Sequence, residues 1–156
     1  MPATSDPRST HPKLNLALER LEAADLSTLC AEPAPHQLVQ AIDEFNAGEF
    51  FEQHETLELL WRATPGELRH LYEGILQIGV GMHHLFSNHN FHGAAVKLDH
   101  GIRLLSAFPA SCHGVDVARL LRDAQAARAE LVALGPDGLD RFPAELTPRV
   151  HFTHTP

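Results

Sequence analysis

Leu14, Leu18 and Leu21 recur at helical intervals among Ala and Glu, with Leu26 and Leu29 beyond them. This spacing places them on one face of a helix that starts near Lys13. Pro33 and Pro35 predict its end. A second helix is expected from about His36 to Ala47, with Leu38, Ile42 and Phe45 on one face and Gly48 as its stop. A third runs from about Glu49 to Ala63. Thr64-Pro65-Gly66-Glu67 has capping-box spacing, so a fourth helix is expected from Pro65 to about Asn88. Phe91, Ala94, Ala95, Leu98, Ile102, Leu105 and Phe108 mark a fifth, capped by Asn90 and stopped by Pro109. A sixth covers about Val115 to Leu134, before Gly135-Pro136.

No stretch shows strand alternation. The pattern predicts an all-α protein, a compact array of five to six helices with short connections. Residues 1–12 are rich in Pro, Ser and Thr and are expected to be a disordered tail; residues 13–134 form the helical domain. Residues 135–156, with further prolines, are expected to be extended and to pack across the bundle.

Two helices carry polar groups among core residues. On a helical wheel of the third, Phe50, His54, Leu57, Glu58 and Trp61 fall on one face, with Glu55 on its shoulder and Glu52 pointing away. The fourth has no Lys or Arg from Leu71 to Phe86. Its apolar residues cover more than half of its circumference and leave a narrow stripe of His70, Glu73, Gln77, His84 and Asn88. Gly74 and Gly81 flank that stripe, which predicts close approach by another helix or by a ligand.

A short connection makes these two helices antiparallel neighbours. If their stripes face each other, His54, Glu55, Glu58, Glu73, Gln77 and His84 converge. Buried ionisable groups need a partner, and three solutions stay open. One is a divalent metal (zinc, iron, manganese or nickel) held by His54, Glu58 and His84, with Glu55 and Glu58 as catalytic carboxylates of a hydrolase. His54-Glu55-Thr56-Leu57-Glu58 is not the HExxH zinc motif, because Glu58 replaces the second His. Another is a hydrogen-bond network that fixes helix register inside a non-enzymatic interaction or scaffold module. The third is a small-molecule pocket without metal, in which Glu58 or His84 accepts a proton. Trp61 is read as a core or groove anchor, and His83 as surface or interface.

Composition narrows the partners. The 156 residues suit one domain. The net charge of −8 and the lack of a basic run argue against nucleic acid and anionic membranes as partners. The wide apolar circumference of the fourth helix leaves a homo-oligomer open. No apolar leader is present, and Cys30 and Cys112 are read as two separate thiols, so a cytoplasmic location is expected. The twelve histidines would carry the charge from −8 to +4 if all were protonated. His11, His36, His100, His113, His151 and His154 fall on tails, turns and polar faces and are read as solvated.

The segment from Phe45 to Trp61 resembles the opening of the domain-of-unknown-function family 309, whose pattern is roughly F-N-x-G-x-[FY]-[FY]-E-x-H-E-x-L-E-x-x-W. Leu71 to Ile78, and then His84, Asn90, Gly93 and Ala94, are similar to its later segments, and the likeness spans about residues 41–108. Glu73 stands where the family pattern has Gln, which adds a carboxylate near Glu58. The resemblance implies an orthogonal helical array and no particular activity. It singles out Glu52, His54, Glu55, Glu58, Trp61, Gln77 and His84.

Overall fold

Helix α3 (His36–Asn46) ends in a Schellman turn. Gly48 takes φ +78°, its N–H donates to the Phe45 carbonyl, and the Glu49 N–H reaches back to Glu44. Only a residue without Cβ adopts that φ at no cost, so the Gly48 of the motif is a backbone requirement. The chain reverses there into α4 (Phe50–Ala63), and Phe45 meets Phe50 edge to face at 5.4 Å.

The structure, a computed structural model, describes residues 11–153. Most of the expected disordered tail, and His154, lie outside the described residues. The order is α1 (Pro12–Ala23), α2 (Leu26–Cys30), α3, α4, α5 (Arg69–Phe86), α6 (Phe91–Ser106), a hairpin of β1 (Ser111–Cys112) and β2 (Val115–Asp116), and α7 (Val117–Leu134). From α4 to α7 each helix packs on the one before it, and α1 lies against α6. The all-helical class stands.

Helix α5 is the centre of the array. Eleven of its eighteen residues are buried. On its α6 side, Gly74 and Gly81 admit Leu105 and Leu98, and a Cβ on either would meet them at 2.9 and 2.8 Å. Gly101 of α6 completes the contact, since its Cβ would sit 2.8 Å from the Gly74 carbonyl oxygen and 2.6 Å from Ile78 Cδ1. The close approach expected at Gly74 and Gly81 is therefore made by a helix.

Several local expectations change. The first helix breaks at Ala24, and the Asp25 side chain caps the short α2 by accepting from Ser27 N–H. Thr64 does not cap α5; its hydroxyl donates to the Leu60 carbonyl and closes α4, and α5 begins at Arg69. Residues 111–116 form a two-stranded hairpin, whose second strand takes Val115 and Asp116 from the expected start of the last helix. Asn90 caps α6 as expected, accepting from the Gly93 N–H.

Cys30 and Cys112 form a disulfide, which corrects the reading of two separate thiols. The helical break at Ala24 turns α2 toward the hairpin, and the His113 N–H donates to the Cys30 carbonyl beside the bond. One of the two grounds for a cytoplasmic location is thereby withdrawn. Among the described residues, no helix is long and apolar enough to cross a membrane.

After Gly135 the chain makes two short 3-10 turns and returns along the array. Phe142 packs edge to face on Phe86. Asn46 holds this segment with both ends of its amide, donating to the Val150 carbonyl and accepting from the Val150 N–H, each at 2.8 Å. Phe152 then bridges to Val115.

Two stability outcomes follow. Gly101→Ala is expected to cost about 1–3 kcal/mol in urea unfolding, because the α5 backbone blocks the added methyl. Replacing both cysteines by alanine is expected to cost about 2–4 kcal/mol, since the bond closes a long loop in the unfolded chain. Thiol titration of the denatured, unreduced protein should find no reactive cysteine.

Candidate functional site

The buried face of α4 is set by Phe50, Gln53, Leu57 and Leu60. It is turned by roughly 60° from the face centred on His54 and Trp61, at about 100° per residue. That rotation leaves His54 and Glu58 on the rim. His54 Nε2 stands 3.4 Å from Glu58 Oε2, and Arg62 Nη2 stands 2.6 Å from Glu58 Oε1. The His54 and Glu58 side chains are 38% and 30% exposed, so the ladder is solvated. Glu52 and Glu55 are exposed on the same helix.

The stripe on α5 is real, but it does not meet the α4 residues. His54 looks toward α5 through Phe51, which contacts both the His54 and His83 rings. His84 belongs to the α6 side. Its Nδ1 lies 3.2 Å from Asn88 Nδ2, and a Cβ on Gly93 would touch its ring. Burial pushes its imidazole below the usual range, helped by His83 and Lys97. Residues sharing a helical face are also spread along the axis: Glu73 and His84 are about 16 Å apart at about 1.5 Å per residue. The expected trio of His54, Glu58 and His84 is therefore not brought together. Among the described residues, no group of three or more His, Cys, Asp or Glu side chains is placed to hold a metal ion.

The N-terminal half of the α5 stripe does open onto a site. A cavity of about 640 Å³ lies between α1, the end of α4, the start of α5 and α6. Trp61, Glu73 and Gln77, all singled out from the sequence, line it together with Arg69, His70 and His100. The volume is in the range of small-molecule sites. The Arg69 guanidinium lies 5.8 Å from the centre of the Trp61 ring. His70 Nδ1 is 3.2 Å from Glu73 Oε1, at i, i+3 on one helix face. The His11 and His100 rings meet edge to face at 4.5 Å. Burial holds the His100 imidazole below its ordinary range, with His11 as the next cause.

The polar accounting of this cavity is incomplete. Trp61 Nε1, Arg69 Nε, Gln77 Oε1 and His100 Nε2 are buried and have no hydrogen-bond partner among the described residues. Each such atom costs about 1–3 kcal/mol when left unpaired.

Other polar groups were misplaced or missed from the sequence. Gln53 is fully buried and donates from Nε2 to the Phe50 and Leu76 carbonyls. Gly79 leaves room for it, and that glycine opposite a polar residue was the available signal. His100 and His113 were read as solvated, but His100 lines the cavity and His113 is buried. His113 Nδ1 donates to the Glu32 carbonyl at 2.8 Å, which leaves Nε2 to accept from Tyr72 Oη at 2.9 Å. Burial and the Glu32 charge push the Tyr72 phenol up to about 12.

The fold and site define a small helical array with a polar cavity on its central helix. Residues 38–96 match the family described as a domain of unknown function (DUF309). That segment, from α3 to the start of α6, is of that family, which bears out the resemblance carried by the Phe45–Trp61 motif. No curated protein and no solved structure matches the chain.

His54→Ala is expected to change unfolding free energy by less than about 0.5 kcal/mol, as for other exposed i, i+4 pairs. A loss above about 2 kcal/mol in urea unfolding would show that the pair is part of the core after all.

Proposed function

We propose that this chain is a small-molecule binding module whose site is the cavity bounded by α1, α5 and α6. One observation carries the reading: four of the seven buried polar side-chain atoms without partners among the described residues belong to residues that line this one cavity. The other three, Asn15 Nδ2, Glu44 Oε1 and Gln53 Oε1, are spread over α1, α3 and α4, and folded proteins pair most buried polar groups. Neighbouring side chains cover the four atoms, so a ligand engages them as those side chains turn. Trp61 and Arg69 offer donors, Gln77 offers an acceptor, and His100 can serve as either. Leu14, Ala17 and Leu104 supply apolar wall.

This reading takes the place of a metal-dependent hydrolase built on His54, Glu58 and His84. Those three residues sit on a solvated ladder and on the far end of α5. The interaction-module reading has less support, because its network groups do not meet: His54 pairs with Glu58, Glu73 with His70 and His84 with Asn88, while Gln77 Oε1 has no partner among the described residues.

Trp61 is the single tryptophan, so intrinsic fluorescence reports on the cavity. Screening a library of common metabolites is expected to yield a chemically related set of binders. These should shift Trp61 emission and the amide resonances of Arg69 to Gln77 and of His100. Gln77→Met should keep stability within about 1 kcal/mol, since it removes an unpaired acceptor, and should weaken every member of that set. Binders that move only residues outside the cavity, or none at all, would refute the reading.

A further inference from the structure

The charge of the cavity runs against the charge of the chain. The protein carries −8, with Asp and Glu well in excess of Lys and Arg. Yet Lys13, Arg20 and Arg69 all line the cavity, and among the described residues Glu73 is its one carboxylate. Glu73 is already engaged by His70 at 3.2 Å. The ion pairs between described residues join His54 and Arg62 to Glu58, His70 to Glu73, and Arg103 to Asp99. None of the three cavity cations takes part in them. Arg69 is the most constrained of the three, with its guanidinium beside the Trp61 ring and its Nε buried without an acceptor.

Resting on the reading of this cavity as a ligand site, we infer that its ligand is an organic acid: a carboxylate head carried on an apolar body. A guanidinium presents paired N–H donors that match a carboxylate, and the match is stronger where water is excluded. Trp61 Nε1 supplies a further donor near the same end. Lys13 and Arg20, on the exposed side of α1, attract the anion toward the mouth. The apolar wall and the Trp61 face take the body, and Gln77 Oε1 accepts from a hydroxyl or amide N–H on it. An ammonium compound of the same shape would meet three cations and one engaged carboxylate.

The test uses the whole chain and three probes of one shape: 4-phenylbutanoate, 4-phenylbutanamide and 4-phenylbutylamine. Each is titrated while amide resonances from Arg69 to Gln77 and at His100 are followed. The acid is expected to bind at least tenfold more tightly than the amide, and the amine more weakly than both. Arg69→Met should lower the affinity for the acid about tenfold and leave that for the amide unchanged, with Arg69→Lys between. If Arg69→Met does not fold, Arg20→Gln at an exposed α1 position is expected to weaken the acid about threefold and the amide not at all. Equal affinity for acid and amide, or tightest binding by the amine, would overturn the organic-acid inference while leaving the cavity as a binding site. No cavity shift with any of the three would overturn both.

Discussion

The packing of α5 against α6 is the constraint on which the rest of this fold depends. Three glycines, Gly74, Gly81 and Gly101, let Leu98, Leu105 and Ile78 fill the space that side chains would otherwise hold. The two helices approach so closely that the Gly74 carbonyl nearly touches the Gly101 α-carbon face. Glycine inside a helix costs roughly 1 kcal/mol against alanine, and the dense contact offsets that cost through dispersion and burial. With α6 locked on one side and α4 on another, α5 has little circumference left. What remains is the polar stripe.

That stripe is treated differently at its two ends. At the C-terminal end, α6 begins beside it, and His84 settles against Gly93 with Asn88 as its neighbour. At the N-terminal end, α1 lies against α6 and a gap remains. His70, Glu73 and Gln77 line that gap, Trp61 walls it at the end of α4, and His100 faces it from α6. The polar cavity is thus the space left where helices that pack closely on α5 diverge. Its unpaired atoms follow from the same geometry, because Trp61, Arg69, Gln77 and His100 come from three different helices and no fourth supplies partners.

Much of the frame was readable along the chain. Helical periodicity located α3 through α7 to within a few residues, and Gly48 and Asn90 marked their ends by known turn and cap chemistry. The glycines on α5 announced a close contact. The α2 break rests on a local signal, the Asp25 cap on the Ser27 N–H, whereas the hairpin leans on distant segments through Cys30 and Phe152. The disulfide likewise depends on distant segments. Cys30 and Cys112 are separated by 82 positions, and only the turn of α2 brings them together. The site was half legible. Trp61, Glu73 and Gln77 were singled out, while Arg69 was passed over and His100 was read as solvated.

The sequence by itself determined most of the helical segments, which helix would be apolar over most of its circumference, and that polar groups would lie along it. These are properties of local periodicity, which each segment carries in its own order of residues. The tertiary structure decided which polar groups share a site. A wheel fixes angles about one axis, but not the rotation of one helix against the next, nor the position of a third. A turn of roughly 60° in α4 moved His54 and Glu58 from an expected interior to the rim. The packing of α1 against α6 placed His11, Lys13 and Arg20 in the lining that holds Glu73 and Gln77. Neither quantity is written in the spacing of any one segment, because both are set by packing summed over the whole array.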